Sequence, residues 1–155
     1  MILNRAIGRF LKMGTLWATL GFLGAVLLQI FARFFLESAP SWTEEASRLF
    51  FVYAISFASG LALKSNYFVF LDTFYNKFNR KFKKVLTLLV PICTFLMFLV
   101  VLIYTVPLIR LGMGEKSPSL EFPMAFAFFS MAIMALSLCY YSLKEINSLL
   151  KNRKR

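Results

Sequence analysis

The chain is built from long uncharged runs separated by short charged segments. Met13 to Ala32 is 20 residues without a charge. At about 1.5 Å per helical residue, that crosses a hydrocarbon core of about 30 Å. Leu49 to Leu63 gives only 15 uncharged residues, but Ser41 and Glu44 have the S-x-x-E spacing of a capping box. A helix starting near Trp42 then runs 22 residues to Leu63. Val85 to Ile109 adds 25 uncharged residues and Phe122 to Leu143 adds 22. The pattern predicts an all-α membrane protein, one membrane domain over residues 1–155. Its four transmembrane helices lie at about 13–36, 42–63, 85–109 and 122–143.

Between the second and third spans the periodicity changes. Tyr67, Leu71, Phe74, Tyr75, Phe78 and Phe82 recur every three or four residues. They fall on one face of a helix over about 66–84. Asp72, Asn76, Asn79, Arg80 and Lys83 fall opposite. An aromatic face backed by basic residues describes an amphipathic helix lying in the membrane interface. Lys77, Arg80, Lys81, Lys83 and Lys84 are its candidate contacts to anionic phospholipid.

Composition narrows the function. The chain is 59% apolar with 19 Phe, above the roughly 45–50% of a soluble domain, and its mean hydropathy is +0.70. Net charge is +11, with no His and two Cys. The lack of His removes the commonest general base and metal ligand. With only 7 acidic residues, no catalytic, cofactor or metal constellation is expected. The positive charge sits at the ends of the apolar runs, so membrane orientation explains it and nucleic acid is not an expected partner. Fourteen of the 18 basic residues lie before span one, between spans two and three, or after span four. Both termini are therefore expected on the cytoplasmic side. The first apolar run exceeds a signal-peptide core of about 7–15 residues and reads as an uncleaved anchor.

Small residues mark close helix approaches: Gly14 with Ala18 and Gly21 with Ala25 in span one, and Ala54, Ala58 and Ala62 in span two. Pro91 should kink span three, and Pro107 should stop it near its outer end. Trp17 and Trp42 suit the two interfaces. No charge lies within the uncharged cores, where an ion or proton pathway would need one. A stand-alone four-helix exporter lacks its membrane-embedded acid in span one. A membrane thiol oxidoreductase would need paired cysteines, and Cys93 and Cys139 are isolated in spans three and four.

The segment Arg33 to Arg48 reads R-F-F-L-E-S-A-P-S-W-T-E-E-A-S-R. Glu44 and Glu45 can each meet Arg48 at helical spacing. Arg33, Trp42, Glu44, Glu45 and Arg48 are the candidates for an ion-pair cluster and partner contacts at the outer interface. This string resembles the small membrane subunit of TRAP transporters, the DctQ type. In that family an Arg closes the first span and a W-x-E-E-x-x-R-like string opens the second. The resemblance continues through Phe51 to Gly60 and Lys64 to Asp72; where many members place a His, this chain has Tyr67 or Phe68. It implies a scaffold subunit of a secondary, sodium-coupled transporter of an organic acid such as a C4-dicarboxylate or sialic acid. It also implies two partners, a large multi-span elevator-type subunit in the bacterial inner membrane and a periplasmic substrate-binding protein.

Overall fold

The computed structural model describes residues 2–35, 40–65 and 80–153. Within them lie four long helices: α1 (Ile2–Phe35), α2 (Ser41–Lys64), α3 (Arg80–Gly114) and α4 (Ala125–Arg153). Each contains a stretch long and apolar enough to cross a membrane. The protein is a multi-pass membrane protein. The sequence-predicted interfacial helix lies, over residues 66–79, outside the described residues. Residues 80–84 form the first turn of α3.

The helices outrun the uncharged stretches that revealed them. α1 has 34 residues, about 50 Å at 1.5 Å each, and begins eleven residues before Met13. Backbone hydrogen bonding does not stop where charge begins. Lys and Arg carry their heads to water while their stems stay on the helix. Two expectations are corrected. The capping box does not form: Pro40 is the N-cap of α2, with φ −61° and ψ 125°, and no side chain caps the helix. Ser41 already sits inside the first turn, one residue too late to cap it. Nor does Pro107 end α3, which runs through both prolines to Gly114. Within a bilayer the turns around a proline are retained, because unsatisfied backbone has no water to turn to.

The helices stand in a row ordered α1, α2, α4, α3. α1 packs on α2, α2 on α4, and α4 on α3. This explains why α4 is the most enclosed helix and α3 the least. The α1–α2 seam follows a heptad. Leu11 and Ala18 are buried, Ala25 is half-buried, and Ala32 is 2% exposed. Between them, Gly14 lies against the ring of Phe57 and Gly21 against that of Phe50. Glycine notches filled by rings from the next helix are how membrane helices gain dispersion contacts without a hydrophobic drive. The α2–α4 seam has a notch of its own, with buried Gly60 packed on Ser137.

Hydroxyls along these seams behave as small residues. Ser56 Oγ donates to Val52 O at 2.7 Å, Ser130 Oγ to Ala127 O at 2.6 Å, and Ser137 Oγ to Met134 O at 2.9 Å. Each satisfies itself on its own helix, which leaves the faces free to approach. Tyr53 is an exception: its Oη crosses from α2 to donate to Phe126 O at 2.8 Å, near the start of α4.

Candidate functional site: the α3–α4 hairpin

The connection from α3 to α4 is a compact hairpin, residues 115–124. Ser117 N donates to Phe122 O at 2.9 Å and Met124 N to Glu115 O at 2.9 Å, with Lys116 bridged antiparallel to Pro123. Glu121 turns the chain with φ 52°, a region a side chain enters at a cost of roughly 1–3 kcal/mol. Pro118 and Pro123 flank the turn and limit its alternatives.

Glu45, on the second turn of α2, grips this hairpin. Its Oε1 accepts from Ser119 N at 3.0 Å, and its Oε2 from Leu120 N at 2.9 Å. Ser117 Oγ also donates to Oε2. One carboxylate thus takes three donors from a loop more than 70 positions away, tying the first helix pair to the second. Charge-assisted bonds of this kind are the stronger class. Ser117 itself is buried.

The neighbouring charges behave differently. Arg48 pairs with Glu44 one turn away, both side chains largely exposed. Arg33, in the last turn of α1, is exposed and has no ion pair among the described residues. So Arg33, Glu44, Glu45 and Arg48 share the end of the molecule where α1 gives way to α2, without forming one connected cluster. Trp42 stands at the start of α2, 43% exposed, and Trp17 projects from α1 at 65% exposure. Ala54, Ala58 and Ala62 are half-buried on α2, while the closest approach to α4 is made by Gly60. The grip of Glu45 on the hairpin was not foreseen. Pro118 and Pro123, around Ser119 and Glu121, mark a turn, but nothing local links it to Glu45.

Both cysteines are free: Cys93 faces outward from α3, and Cys139 is buried on α4 with its Sγ directed at Phe95 O, 3.9 Å away. No group of three His, Cys, Asp or Glu able to hold a metal occurs among the described residues.

Comparison with known proteins places this architecture. Residues 22–152 match the family described as Tripartite ATP-independent periplasmic transporters, DctQ component. A Haemophilus influenzae protein named "Putative TRAP transporter small permease protein" is 25% identical over 105 residues. That match covers 68% of this chain and 64% of the relative, so the chain spans just under two thirds of the relative's length. The family match takes in the second, third and fourth helices, the Glu45 grip and the α3–α4 hairpin, and the chain belongs to the DctQ component family of the tripartite ATP-independent periplasmic transporters.

Proposed function

We propose that this chain is the small permease subunit of a TRAP transporter in the bacterial inner membrane, with both termini cytoplasmic. It acts as a fixed scaffold for a larger multi-span subunit that carries substrate. The observation that carries this reading is the open row of helices in a chain of the DctQ family. A row leaves two broad apolar sides. On α1 alone, Leu27, Phe31, Phe34 and Phe35 are each more than half exposed. Lipid covers such surface readily, and so does a second membrane protein, which turns a row into one wall of a larger body. The relative's name, a TRAP small permease, points the same way.

The transported solute is an organic acid, a C4-dicarboxylate, sialic acid or similar carboxylate, coupled to sodium in the large subunit. The periplasmic binding protein docks at the outer end, where the latched hairpin offers a surface of fixed shape. Affinity purification of the tagged chain from its native membrane in mild detergent tests the reading. A stoichiometric multi-span partner identified by mass spectrometry is the expected result. Recovery of the chain alone, or only with copies of itself, would sink it.

The exposed Glu44–Arg48 pair separates stability from contact. Such a pair contributes only about 0–1 kcal/mol. Arg48→Glu should leave the amount of folded chain in the membrane unchanged. It should lower transport by the assembled system several-fold if this surface meets the binding protein. Transport equal to wild type would remove Arg48 from the docking surface.

A further inference from the structure

We infer that the end of the molecule bearing the chain termini holds a phospholipid, its phosphate at Lys64 and Lys12 and an acyl chain in the groove between α1 and α2. The inference concerns the chain in its bilayer and does not rest on the transporter reading.

Gly8 on α1 is buried where three helices meet. A Cβ there would lie 2.5 Å from Lys64 Nζ and 3.6 Å from the Tyr141 hydroxyl. The missing side chain is what admits the ammonium group of α2 and the phenol of α4 to one spot. Lys64 has no ion pair among the described residues. Tyr141 is 4% exposed, and its hydroxyl has no hydrogen-bond partner among them. Lys64 is exposed, so its ammonium group is open to a headgroup, while the phenol beneath it is shut off from water and lacks a partner. A phosphate answers Lys64 with negative charge, and its oxygens reach the phenol when the flexible lysine side chain swings outward.

The groove names the rest of the ligand. On α1, Gly8, Lys12, Thr15 and Thr19 succeed one another at intervals of three and four residues, on one face of the helix. Lys12, Thr15, Leu16, Thr19 and Leu20 line a shallow groove of about 330 Å³ closed on its far side by Leu61 of α2. Leu61 lies one turn from Lys64 on the same face. The Thr15 hydroxyl is spent on Leu11 O at 2.8 Å, so that position offers its methyl. Cation at the mouth and apolar lining towards the membrane centre match an amphiphile, with headgroup outward and chain inward. Free phosphate would use only the mouth. A helix from another subunit would use the groove but leave the ammonium groups unanswered.

The test uses the purified full chain in mixed micelles, with dioleoylphosphatidylglycerol as probe and native mass spectrometry as readout. Wild type should retain one lipid per chain, and inorganic phosphate at the same concentration should not displace it. Lys12→Gln with Lys64→Gln should cut retention at least tenfold. Lys151→Gln with Lys154→Gln removes the same charge near the C-terminus and should not. Gly8→Leu fills the notch without changing charge and should also cut retention. Thr19→Trp, which blocks the groove and leaves the mouth intact, guards against a Gly8 variant that fails to fold. Equal loss in the Lys12/Lys64 and Lys151/Lys154 variants would reduce the effect to bulk charge and overturn the site. So would full retention in Thr19→Trp, or displacement by inorganic phosphate.

Discussion

Replacing Glu45 with Ala is expected to release the α3–α4 hairpin, and Glu45→Gln should do nearly the same. The carboxylate uses both oxygens as acceptors, one for Ser119 N and one shared by Leu120 N and the Ser117 hydroxyl. A glutamine keeps the shape but offers one oxygen and turns an amide donor towards a backbone donor. Glu45→Asp keeps the charge but falls a methylene short. In all three variants, the Ser119 and Leu120 amides should exchange with solvent about tenfold faster or more, since a hydrogen-bonded loop opens in proportion to the bonds holding it. Ser117→Ala should give a smaller change, because it removes one donor and leaves the backbone pair in place. Tyr53→Phe should leave the hairpin amides alone while loosening the start of α4, since its bond goes to Phe126 O. Transport should fall with Glu45→Gln while the amount of chain in the membrane stays near wild type. Unchanged exchange at Ser119 and Leu120 would show that the grip does not hold the hairpin.

The residues of this site show where reading a sequence stops. Three of the four spans were legible because a bilayer demands about 20 uncharged residues in a row, and little else in a chain imitates that; the second, with 15, was reached through a capping box that does not form. The Glu44–Arg48 pair was legible because helical spacing alone brings the two together. Glu45 has the same local surroundings, and spacing offers it Arg48 as well. Its actual partners are the Ser117 hydroxyl and two backbone amides, Ser119 and Leu120, from the far side of the fold, and amides have no side-chain signature to read. The capping box failed for a related reason. Ser41 and Glu44 have the right spacing, but Pro40 already supplies the extended residue before the helix, which moves Ser41 one place inside. The row order of the helices was equally hidden. Small residues announce that a helix approaches something closely; they do not say which neighbour it approaches.

Gly60 is where that ambiguity ends, and the largest structural effect is expected there. Among the described residues, the extensive contact between the first helix pair and the second runs from α2 to α4. A Cβ on Gly60 would lie 2.7 Å from both Cβ and Oγ of Ser137 and 3.0 Å from Leu11 Cδ1. The leucine methyl can rotate away. Ser137 Cβ is fixed to the α4 backbone, so α4 itself must move. Gly60→Leu should therefore cost at least the roughly 1–3 kcal/mol of an overpacked core, and the strain falls on the seam joining the two helix pairs. The expected result is a detergent-solubilised chain with a thermal midpoint several degrees lower and a broadened size-exclusion peak. Gly24, also on a membrane helix, has open space where a Cβ would stand, with nothing within 4 Å. Gly24→Leu should be tolerated and controls for side-chain size. Compensation supplies the sharper check. Gly60→Ala alone should destabilise. Gly60→Ala with Ser137→Gly exchanges which helix carries the Cβ and should recover most of the loss, a coupling that neither single change predicts. If the double variant is no better than Gly60→Ala, or if Gly60→Leu behaves like Gly24→Leu, the two helix pairs are not held together at this point.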